Sequence, residues 1–108
     1  MDKLIQDILE WHKETFPKAT LSSQLRKVES EIMEMYEAPN RYESLEEKAD
    51  VCIALVSLAF RFNSLIGQIL LSRYYYDHYP FEEIRVAMEN KMKLNRTRTW
   101  KGNHHVDD

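Results

Sequence analysis

The chain has 108 residues, 44% hydrophobic and 31% charged, with a formal net charge of −3. That length suits one domain with a real core, and the slight acidic balance excludes a general nucleic-acid-binding surface. One cysteine, Cys52, excludes a disulfide framework and fits a reduced, cytoplasmic compartment.

Only two glycines and three prolines interrupt the sequence, so long helices and few turns are expected. The fold class read here is all-α: a compact bundle of four to five helices over residues 1–101, followed by a disordered tail at 102–108. The charged, amphipathic opening Met1-Asp-Lys-Leu-Ile-Gln-Asp is not expected to be a signal peptide. The longest apolar run, Val51 to Phe60, is too short to span a bilayer, so no membrane partner is expected.

Asp2 can cap a first helix whose inner side carries Leu4, Ile5, Ile8, Leu9 and His12, with Pro17 stopping it near Phe16. Trp11 and Phe16 at its end serve either as core anchors or as walls of a base pocket. His12 lacks a second histidine or cysteine at ligand spacing. Thr20 caps a second helix to about Ala38. Leu21, Leu25, Val28, Ile32 and Met35 form its apolar stripe, with Gln24, Lys27, Glu31 and Glu34 along the edge. Pro39-Asn40-Arg41 ends it.

Ser44-Leu-Glu-Glu47 reads as a capping box that opens the third helix and competes for the Glu47 carboxylate. Glu47, Asp50, Ala54, Ser57 and Arg61 form an open polar lane on that helix. The helix is apolar almost all round from Val51 to Phe60. A short chain has few helices to cover it, so a homo-oligomer is expected, its interface burying part of Val51–Phe62 and the tyrosines Tyr74, Tyr75, Tyr76 and Tyr79, which otherwise pack internally. Cys52 belongs to the core. Gly67 marks a bend before a further helical piece, Gln68 to Tyr76. Pro80 opens a last helix, Phe81 to about Asn95, with Ile84, Ala87 (or Met88), Lys91 and Leu94 facing inward.

Glu31-x-x-Glu34 and Glu47-x-x-Asp50 each put two carboxylates on one helical face, about 60° apart. Two such helices packed antiparallel would bring four carboxylates together, and hard divalent cations are their natural partners. The basic run Lys91, Lys93, Arg96, Arg98 and Lys101 is either a solvated helix end or a grip for phosphate.

The two acidic pairs resemble the E-x-x-E…E-x-x-D signature of the MazG-like all-α nucleoside triphosphate pyrophosphohydrolases. Trp11-His12 through Lys27, Glu47-Lys-Ala-Asp50-Val51-Cys-Ile53 and Lys91-Met-Lys-Leu-Asn95-Arg96-x-Arg98-x-Trp100 are similar to segments of its bacterial and phage dATP/dGTP diphosphohydrolase branch. Ser30 and Lys48 depart from that pattern without removing a ligand. The resemblance implies Mg2+-dependent (or Mn2+-dependent) hydrolysis of a nucleoside triphosphate to monophosphate and pyrophosphate, trimming a nucleotide pool. It implies Glu31, Glu34, Glu47 and Asp50 as metal ligands, with Glu34 orienting or deprotonating the attacking water. Lys91, Asn95, Arg96, Arg61 and Trp11 are the substrate-side residues. A ferritin-like iron protein needs Glu-x-x-His pairs, and none occurs. The rival reading is a non-catalytic helical interaction module.

Overall fold

Five α-helices and no strand make up residues 2–100, the part of the chain that the computed structural model describes. The expected tail at 102–108 lies outside the described residues. Asp2 sits in extended backbone and accepts from the Ile5 amide, starting α1 (Lys3–Thr15). The inner face expected of this helix is the one that is buried. Thr20 and Ser23 exchange side-chain-to-backbone hydrogen bonds in a reciprocal cap at the start of α2 (Leu21–Glu37).

The third helix begins earlier than its capping box suggests. Asn40 accepts from the Glu43 amide at 2.8 Å and opens α3 (Arg41–Val56). Glu47 is therefore mid-helix, released from any capping duty. A π-helical turn, Ser57–Arg61, continues α3. Asn63, at φ 52°, turns the chain, and Ser64 caps α4 (Leu65–Leu71), which runs on through a second π turn, Ser72–Tyr76. The last helix is α5 (Phe81–Thr97).

α3 is the axis around which the others pack: α1, α2, α4 and α5 all touch it. Every residue from Val51 to Ala59 is buried within this one chain. The premise that a second subunit must cover this helix is thereby overturned, because four helices and the two π turns suffice. The exposed apolar side chains lie elsewhere, notably Leu65, Ile66 and Ile69 of α4. Tyr75 is a core residue, its hydroxyl donating to Asp2 Oδ2 and accepting from Arg85, while Tyr79 is exposed.

Gly67 does not bend the chain. It is buried in the first turn of α4, where a Cβ would lie 2.8 Å from Leu58 Cγ and 2.9 Å from the Ala59 nitrogen. The absent side chain lets α4 approach the end of α3.

Two helical faces are rotated from expectation. On α2 the buried set is Ser23, Gln24, Val28, Glu31 and Met35, while Leu21 is exposed. On α5 it is Ile84, Met88, Met92 and Asn95, and Leu94 is exposed. In both cases polar residues turn inward, and they turn toward the same place.

Candidate metal and nucleotide site

α2 and α3 pack along each other and carry the acids. Carboxylate oxygens of Glu31, Glu34 and Glu47 come within 4.8 Å of one another. Glu31 is buried, Glu34 exposed, and Glu47 intermediate. The Glu47 Oε2 atom is buried and has no hydrogen-bond partner, a costly state for a carboxylate oxygen.

Asp50 stands outside this trio. Its Oδ2 lies 3.4 Å from Lys91 Nζ on α5. Glu31 also has a cation, Lys27, one turn earlier on α2 at 3.2 Å. Among the described residues, Glu34 and Glu47 have no ion-pair partner.

Burial pushes the Glu31 carboxyl above the usual range. Lys27 opposes the shift, whereas Asp50 and Glu34 add to it. Burial likewise raises Asp50 against the pull of Lys91, Lys27 and Arg98. Glu47 rises through burial first, then repulsion from Asp50, Glu34 and Glu31. Burial is the leading cause in all three, and mutual repulsion adds to it at Glu31 and Glu47. The donors are oxygen only, which suits Mg2+ or Mn2+ and gives a soft metal nothing to bind. The unpartnered Glu47 oxygen fits the same kind of ion.

A cavity opens beside the acids. Glu31, Asp50, Lys27, Gln24, Asn95 and Arg98 line it with polar groups, and Ile53 and Ala54 add apolar ones. Trp11, His12, Phe16 and Trp100 supply its aromatic part. Phe16 and Trp100 meet edge to face at 5.1 Å, and Trp11 stands 5.4 Å from Phe16 and 5.9 Å from Trp100. The Trp100 indole N–H donates to the Asn95 carbonyl, which pins the segment after α5 to that helix.

A hydrogen-bonded chain joins three lining residues, His12, Gln24 and Ala54, to Arg61. Arg61 donates to His12 Nδ1 at 2.8 Å. An arginine has no acceptor, so His12 accepts at Nδ1 and donates from Nε2 to Gln24 Oε1 at 3.0 Å. Gln24 Nε2 then donates to the Ala54 carbonyl. The Gln24 amide is thereby fixed in one orientation.

The structure brings Trp11, Asn95, Glu31 and Asp50 to the cavity wall, sets Glu34 and Glu47 beside Glu31, and holds Lys91 on Asp50. Arg61 and Arg96, also expected on the substrate side, do not line this cavity. Arg61 donates to the carbonyls of His12, Phe16 and Pro17, satisfying the open C-terminus of α1. The lane that was to connect it with the acids is closed, since Ala54 and Ser57 are buried. Arg96 is exposed and faces a neighbouring groove that shares Trp11, Asn95, Arg98 and Trp100 with the cavity.

Among the cavity residues that the sequence did not single out as site residues are Gln24, Lys27, Arg98 and Trp100. Gln24 and Lys27 precede Glu31 by seven and four residues, so their shared helical face was readable. Arg98 and Trp100 lie beyond the end of α5, where no periodic pattern exists to place them.

No protein-family model matches the chain, no curated protein matches it in sequence, and no solved structure matches it.

Proposed function

We propose that this chain is a Mg2+-dependent pyrophosphohydrolase that cuts a nucleoside triphosphate, dATP or dGTP, into a monophosphate and pyrophosphate. The observation that carries the reading is the Glu31–Glu34–Glu47 cluster, with its unpartnered buried oxygen, beside a cavity that has aromatic walls and a cationic rim. Glu31, Glu34 and Glu47 would hold the ion, with Asp50 one turn further along α3. An ion held there would neutralise phosphate charge and make a water a better nucleophile.

The protein's own groups account for the rest. Trp11, Phe16 and Trp100 offer ring faces and edges for a base, and Asn95 has both a donor and an acceptor to read it. Lys27, Lys91 and Arg98 supply the positive charge that acids alone would deny a triphosphate. Glu34 is the most exposed of the trio, which suits it to accept a proton from the attacking water. That water forms the new bond to the α phosphorus, the α–β bridge breaks, and pyrophosphate leaves.

The choice of the α phosphorus rests on the MazG-like resemblance. It gains from the absence of a glycine-rich phosphate loop, since the chain holds only two glycines. A homo-oligomer remains part of this reading, and exposed Leu65, Ile66 and Ile69 are apolar surface that such an assembly would cover. Incubating ribo- and deoxynucleoside triphosphates with Mg2+ and analysing products tests the proposal. Monophosphate and pyrophosphate without accumulating diphosphate is expected. Diphosphate with orthophosphate, or no product from any triphosphate, would refute it.

A further inference from the structure

Lys27 occupies an unusual place for a surface helix residue. Its ammonium lies 3.2 Å from Glu31 Oε1, and the residue also lines the cavity. An ordinary helical ion pair explains this poorly. Lysine N-terminal to glutamate is the weaker order for an i,i+4 pair, because it opposes the helix dipole. Nor is the carboxylate an ordinary surface group, since its side chain is 10% exposed against 39% for Lys27. A partly exposed ammonium thus pairs with a nearly buried acid, on a long flexible stem. Lys91 pairs with Asp50 from the neighbouring helix, but with its side chain only 19% exposed it is held in place.

Resting on the reading of this site as a divalent-metal nucleotide site, we propose that Lys27 is a counter-ion that changes partner. It pairs with Glu31 while that carboxylate has no metal, and moves to the substrate's phosphate oxygens once a divalent ion takes Glu31. One positive charge cannot serve both roles at once. Removing it should thus have opposite effects on metal alone and on metal with phosphate. A lysine that only braces its helix would alter neither.

Calorimetric titration with Mg2+ alone, then with imidodiphosphate in saturating Mg2+, separates these cases. Imidodiphosphate is a non-hydrolysable phosphate probe that needs no base pocket. Lys27→Met should bind Mg2+ roughly threefold to tenfold more tightly and Mg2+-imidodiphosphate about tenfold more weakly, as expected for one nearby charge in partly solvated surroundings. Lys27→Arg should keep imidodiphosphate binding. Arg26→Met removes the same charge one residue away, from a side chain bonded to Ser22, and should leave both affinities at parent values. The proposal is overturned if Lys27→Met behaves like Arg26→Met, or if its two affinities weaken together. A parent protein that takes up no Mg2+ would overturn the metal reading itself. A parent that binds Mg2+ but not imidodiphosphate would overturn the partner change alone.

Discussion

The four acids at the centre of this molecule divide into two kinds. Glu31 and Asp50 form an inner pair, each beside a lysine and each lining the cavity. Glu34 and Glu47 form an outer pair with no cation beside either among the described residues, and one Glu47 oxygen is buried without a partner. Carboxylates on the same two helices thus differ in their cation neighbours. The inner acids each have a lysine of the protein beside them, whereas the outer ones have no ion-pair partner among the described residues.

Activity should respond most strongly. Glu31→Gln, Glu47→Gln and Asp50→Asn should each reduce turnover by about a hundredfold or more, the scale of a lost electrostatic or metal-ion contribution. Near-parent turnover in all three, measured with Mg2+ and dATP, would make these carboxylates surface decoration.

Stability should then separate the pairs. Without metal, Glu47→Gln relieves repulsion and should raise the melting temperature by a few degrees, about 1 kcal/mol of stability. Glu31→Gln leaves Lys27 without its carboxylate, so it should gain less or nothing. Saturating Mg2+ stabilises by roughly 2.7 kcal/mol at a hundred times its Kd, and Glu47→Gln should lose most of that rise. Equal melting temperatures for both metal-free variants would erase the distinction between inner and outer acids.

Acidity provides a crossing test. Glu31, Glu47 and Asp50 have folded-state pKa values raised above the usual carboxylate range, burial being the leading cause. The folded chain therefore binds more protons than the unfolded one at intermediate pH. The resulting penalty is absent below the unfolded pKa values, grows as pH rises, and is complete above the raised ones. Lowering pH from 7 toward 5 should thus raise the metal-free melting temperature through these groups. The same change should weaken the rise given by Mg2+, because protons compete for the ligands. Parallel melting curves with and without Mg2+ across this range would contradict the cluster's role.

Much of the fold was legible in the sequence because local chemistry decided it. Asp2 and Thr20 cap the helices they were expected to cap, and the buried face of α1 follows its apolar spacing. The start of α3 was misread because two caps compete there, and Asn40 lies ahead of Ser44 in the chain. The faces of α2 and α5 were misread for a reason tied to the site. Hydrophobic periodicity assumes that polar residues face water, yet Gln24, Glu31 and Asn95 are buried around a cavity. Gly67 was misread as a bend because close approach between helices leaves no local signal. The acid pairs were readable from spacing alone. Their division into balanced and unbalanced members depends on Lys27 and Lys91, and Lys91 comes from a helix remote in sequence.

The smallest expected effect concerns the basic run. Lys91 touches Asp50, whereas Arg96 is exposed outside the cavity. Lys91→Met should impair triphosphate use strongly. Arg96→Ala should stay within about twofold of the parent, as surface changes away from a site usually do. Comparing KM for the two variants checks this, and an equal loss in both would return Arg96 to the substrate side.

The central claim, hydrolysis at the α phosphorus beside the acidic cluster, is tested most directly by the fate of solvent oxygen. The reaction of dATP or dGTP with Mg2+ would be run in 18O-labelled water free of contaminating pyrophosphatase. The account predicts label in the monophosphate and none in pyrophosphate. Label recovered in free orthophosphate would show attack at the γ phosphorus and contradict it.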